Sequence, residues 1–139
     1  MLKRMSLIFI CSLILLASCD TFSSNPNNQI NEMSNQQLVG LKPVVKKLFM
    51  EHLKNEEKQT VPIDSRIINF IVHDDIKIFK NDENTFFIVD YDTLPASKDF
   101  VVAGGGELNE DGWVKNRELY VDVQKSDGEY QIKSLSSGP

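Results

Sequence analysis

WVKNRELYVDVQKSDGEYQIKSL, residues 113–135, carries the pattern of a β-hairpin. Val121 and Val123 alternate with Asp122 and Gln124, the period-two pattern of a strand that turns one face to a core. Trp113 and Leu119 continue the same parity, so the alternation places the single tryptophan beneath whatever covers this sheet. Ser126-Asp127-Gly128-Glu129 interrupts the pattern with an Asp-Gly pair, which supplies the positive φ of a tight hairpin, and residues 130–135 return as a second strand.

Upstream, residues 85–91 form another strand. Phe87, Val89 and Tyr91 share one face and Phe86, Ile88 and Asp90 the other, which predicts burial on both sides at its start. Residues 66–80 are rich in Ile, Phe and Val and are strand-like. They break at His73-Asp74-Asp75, where a bulge or a turn must fall. Residues 80–84 make a polar turn, and the spacing predicts a long loop over 93–112 that contains Pro95 and three glycines.

The cover for the sheet is legible in residues 36–56. Leu38, Leu41, Val45, Leu48, Phe49 and Leu53 recur at three and four, with Lys46, Lys47, Glu51 and Lys54 on the opposite side, the signature of an amphipathic helix. Trp113 is expected to pack near Leu48 or Phe49. Ser34 with Gln37 offers a capping box, while Gly40 and Pro43 predict a kink or a restart, leaving 43–56 as the firm part. One long N-terminal helix on a curved antiparallel sheet of about four strands is an α+β roll, here a single domain over 36–139.

The first residues follow a different logic. Lys3 and Arg4 precede an apolar run over 5–16 that is too short for the ~20 residues a membrane-spanning helix needs, so it reads as a cleaved secretory signal, residues 1–18. The run ends Leu16-Ala17-Ser18-Cys19, which resembles the bacterial lipobox. In that motif the cysteine thiol takes a diacylglycerol and cleavage falls between the positions of Ser18 and Cys19. Stable anchoring needs two or more acyl chains. The expected location is therefore the extracytoplasmic face of the cell membrane, with the bilayer held through Cys19. Cys11 leaves with the signal, so no disulfide is expected. Residues 20–35 are polar, Asn-rich and broken by Pro26, and read as a flexible tether spanning roughly 20–25 Å.

Charge narrows the partners. The chain carries 15 basic and 20 acidic side chains, and removal of Lys3 and Arg4 leaves 13 against 20, a formal charge of −7. Such a surface repels phosphate and argues against nucleic acid.

Gly112-Trp113-Val114-Lys115, Val121-x-Val123-x-Lys125, Gly128-x-Tyr130-x-Ile132-Lys133-Ser134 and the terminal Ser137-Gly138-Pro139 resemble the ending of small lipoproteins of Gram-positive bacteria with a cystatin-like or nuclear transport factor 2-like domain. The resemblance covers residues 66–139. It implies a fold and brings no activity or functional residue with it. The single evident helix, where full cones of the second kind have three, argues against a deep pocket.

Candidate chemistry is sparse. Gly104, Gly105 and Gly106 lack the Gly-Lys-Ser/Thr sequel of a phosphate loop and read as a loop able to contact a partner. His73-Asp74-Asp75 could seed a metal site only if a bulge made its side chains converge, and no metal or cofactor is expected. Asn109-Glu110-Asp111-Gly112 reads as a turn. Tyr91 and Asp92 are candidate contact residues. An isomerase-like pairing of an aspartate base with a tyrosine would need both on one face, which strand alternation denies. The reading that results is a membrane-anchored binding module for an envelope protein or peptide. The alternatives are a small pocket enzyme of the isomerase or hydrolase type and a surface-exclusion or immunity lipoprotein.

Overall fold

The computed structural model describes residues 29–58, 62–99 and 105–139. Cys19, Ser18 and Gly104 lie outside them. Helix α1 (Asn35–Glu57) begins at the expected capping box, in which the Gln37 backbone N–H donates to Ser34 Oγ and the Ser34 backbone N–H donates to Gln37 Oε1. It runs without a restart through Pro43. Pro43 and Val39 are both exposed, so the Val39 carbonyl that loses its i+4 donor sits on the solvent side, where water can serve it. Leu38, Leu41, Val45, Phe49 and Leu53 form the buried stripe.

Six strands make one antiparallel sheet: β1 (Ile67–Val72), β2 (Lys77–Lys80), β3 (Thr85–Pro95), β4 (Glu107–Leu108), β5 (Val114–Ser126) and β6 (Glu129–Ser136). The expectation of about four strands is corrected by the way the edges are built. β1 and β2 both pair with the same side of β3, and β4 and β6 both pair with the far side of β5, so six strands occupy four positions. The break between β1 and β2 falls at His73-Asp74-Asp75, where five residue steps from Val72 to Lys77 face three from Tyr91 to Ile88. The two extra residues preserve parity, so Val72, Ile76 and Ile78 all stay on the helix side.

Three further expectations are corrected. The tether does not extend to residue 35: Ile30 is buried in the core, and Asn31 accepts from Lys80 Nζ and donates to the Glu83 carbonyl. The domain therefore includes residues 30–35. The loop expected over 93–112 starts later, because β3 continues to Pro95, and it contains β4. The start of β3 is buried on one side only: Phe87 and Val89 lie under the helix, whereas Phe86 and Ile88 are half-buried on the open face, with Phe86 against Phe79 and Tyr120.

Trp113 is the largest correction. It is half-buried, stands just before β5, and is absent from the core cluster, while its neighbour Val114 is fully buried. Between Tyr91↔Arg117 and Thr93↔Val114, β5 advances three residues against two on β3. One extra residue at Lys115-Asn116 inverts the parity, so Trp113 faces away from the helix while Val121 and Val123 face it. Phe49→Ala should then cost about 3–5 kcal/mol, and Trp113→Ala markedly less, as read by urea unfolding. Trp113 emission should be readily quenched by acrylamide. The reverse ranking, or a shielded tryptophan, would put Trp113 back beneath the helix.

Candidate functional site

The polar chemistry of the domain converges on the β5 bulge. Asn116 has φ 57°, the left-handed region that asparagine tolerates better than most side chains. A bulge leaves a backbone N–H without its ladder partner. Here the Asn116 N–H donates to Asp92 Oδ1 at 3.1 Å, Lys115 Nζ donates to Asp92 Oδ2 at 2.8 Å, and His73 Nε2 lies 3.3 Å from the same oxygen. Asp92 is buried although it lies on the face the helix does not cover. Burial by itself would push its carboxyl up, but the hydrogen bonds from Lys115, Asn116 and His73 outweigh that and hold it below its ordinary value. The Lys115 ammonium also sits 4.9 Å from the Trp113 ring centroid, which ties the tryptophan to the same cluster.

Tyr91 lies on the other side of β3. Its ring meets Phe49 edge-on at 5.1 Å, Arg117 lies over it at 5.1 Å, and burial pushes its phenol up. Arg117 Nη1 also donates to Thr93 Oγ1 at 3.2 Å. The bulge falls on β5 rather than β3, so Tyr91 and Asp92 keep opposite faces and do not converge. Both are buried, which corrects their expected role as contact residues.

The His73-Asp74-Asp75 segment diverges. His73 reaches Asp92, while Asp74 pairs with Lys46 on the helix, a contact that lowers the Asp74 carboxyl. A polar depression of about 320 Å³ lies between His73, Asp75, Asp90, Asn116 and Glu118. Lys77 pairs with Asp90 at 3.0 Å and lies 3.9 Å from Glu118. No group of three or more metal-ligating side chains with metal-binding geometry occurs among the described residues.

Of the loop glycines, Gly105 is exposed and Gly106 has a packing role. A Cβ on Gly106 would lie 2.8 Å from the Lys115 carbonyl, from Val114 and from Arg117, and its φ is +99°. Only glycine lets the chain pass this close to the bulge. Asn109-Glu110-Asp111-Gly112 is a turn, held by N–H donation from Gly112 to the Asn109 carbonyl, from Asn109 to the Trp113 carbonyl, and from Trp113 to Asn109 Oδ1. Beside it a shallow hollow of about 380 Å³ is lined by Leu94, Pro95, Ala96, Lys98, Leu108 and Glu110, among others. Leu108 is half-exposed there. Sequence reading missed both features; the signal for the bulge is an asparagine in mid-strand.

No protein family model matches the chain, and no curated protein or solved structure shows significant similarity to it. No described helix is long and apolar enough to cross a membrane.

The Asp92 cluster predicts an acid limb of stability. A carboxyl held below its ordinary value contributes stability that is present above the unfolded value and lost as pH falls through the folded one. For Asp92 that loss lies below about pH 4. Asp92→Asn should lower stability at pH 7 by about 1–3 kcal/mol and flatten this part of the acid limb, as measured by urea unfolding from pH 2.5 to 7. Parallel acid limbs in the two proteins would show that the carboxylate does not carry the effect.

Proposed function

We propose that this chain is a bacterial lipoprotein anchored through a diacylglycerol on Cys19, whose domain is a binding module of cystatin-like type for an envelope protein or peptide. One observation carries the binding reading: the shallow apolar hollow beside the 109–112 turn, with Leu108 half-exposed at its rim. A groove of this kind, on a turn held by three hydrogen bonds, suits an apolar side chain of a partner. The chemical alternative lacks such support. An isomerase that used Asp92 as its base would need that carboxylate free to accept a proton, whereas it is buried, engaged by a lysine, a backbone N–H and a histidine, and held below its ordinary value. The depression on that face is lined by acids, and Lys77 bridges two of them.

The anchor supports the same reading, since a signal that ends at Ser18, just before Cys19, would deliver the domain to the envelope. Cys19→Ala should abolish acyl labelling and leave the protein either uncleaved or released from the membrane fraction; labelling and membrane association that both survive the change would refute the anchor. Photo-crosslinking in intact cells tests the binding surface. A crosslinker at Glu110 should give a discrete adduct and one at Lys47, on the exposed side of α1, should give none. Equal yields from the two positions would refute the hollow as the contact.

A further inference from the structure

Two ends of the sheet differ in what they carry. At one end lie the β2–β3 turn, the β5–β6 hairpin and the start of the described chain. Lys80 Nζ holds the Asn31 carbonyl at 2.7 Å, Asn31 holds the Glu83 carbonyl, and Gln29 shares a depression with Lys125 and Tyr130. At the other end lie the C-terminal end of β3, the 109–112 turn and the apolar hollow. The eleven residues of β3 separate the two by roughly 35 Å.

We infer that the domain meets the bilayer with its hairpin end, residues 80–85 and 125–130, and presents the hollow on the side away from the membrane. This rests on the lipid-anchor reading of Cys19. Ten residue steps separate Cys19 from Gln29, and a tether of that length spans about 16–19 Å as a coil, roughly half the distance between the two ends of the sheet, so Gln29 stays the nearer end to the surface. Ile30 is locked in the core, and Asn31 is tied to the 80–83 turn. The point of attachment is therefore a rigid part of the domain and not a swivel along its length. Glu32, Asp82, Glu83, Asp127 and Glu129 outnumber Lys80 and Lys125 at this end, which keeps it hydrated against the headgroups rather than inserted. The hollow, one sheet length further out, is then open to a partner in the envelope.

Energy transfer measures this orientation directly. The mature chain has only Cys19, whose sulfur becomes a thioether when lipidated, so a single introduced thiol can be labelled. Asp82→Cys and Glu110→Cys replace exposed turn acids at the two ends, each with loss of one negative charge. With the lipidated protein in phosphatidylcholine vesicles carrying a headgroup acceptor, transfer from position 82 should exceed that from position 110 at least twofold. Equal or reversed transfer on acyl-labelled protein would overturn the orientation alone. Absence of the acyl label on Cys19 would overturn the orientation and the anchor together.

Discussion

A carboxylate buried on the open face of the sheet sets the geometry on which the rest depends. Asp92 accepts the Asn116 N–H at the β5 bulge, and without an acceptor at that point the extra residue would leave an unsatisfied donor. The bulge divides β5 into two segments of opposite parity. Its longer segment gives Val121 and Val123 to the helix, while the residues before it turn Trp113 and Lys115 outward. A carboxylate out of water costs several kcal/mol unless it is paired and hydrogen-bonded, and Lys115 and His73 supply that compensation.

The neighbours of Asp92 in sequence show how much one strand segment carries. Tyr91 goes into the core against Phe49, Asp92 holds the bulge from the other face, and Thr93 returns to the core side, where it meets Arg117. All three are buried, which makes residues 91–93 the part of β3 covered on both faces. The close approach of Gly106 extends the same constraint to the next strand: β4 can lie beside β5 only because no side chain stands between it and the bulge. The hollow bounded by Leu94 and Leu108 is therefore built on the bulge and not on an independent loop.

Much of the fold is legible in residue patterns. The stripe from Leu38 to Leu53, the Ser34–Gln37 box and the Asp127-Gly128 turn each depend on local rules, and each recurs in the structure. The corrections come from features whose causes lie elsewhere in the chain. Asn116 looks like an outward-facing polar residue until Asp92, 24 positions away, is seen to bind its N–H. Asp92 and Thr93 look like the start of a loop because polar residues seldom continue a buried strand, yet both find partners across β5. Ile30 sits in an Asn-rich stretch whose composition denotes a tether, and the core claims it through contacts the stretch itself does not encode. The candidate site was the least legible part, since periodicity assigns a face to every residue but cannot show where one inserted residue inverts it.

The register around the bulge is open to one direct observation. In the labelled protein, interstrand backbone nuclear Overhauser effects should connect Thr93 to Val114 and Tyr91 to Arg117, with Asp92 facing both Lys115 and Asn116. A regular ladder continued from Tyr91↔Arg117 would instead connect Thr93 to Lys115. That result would return Trp113 to the face of Val121 and Val123, and Asp92 would then not be the acceptor that holds a bulge.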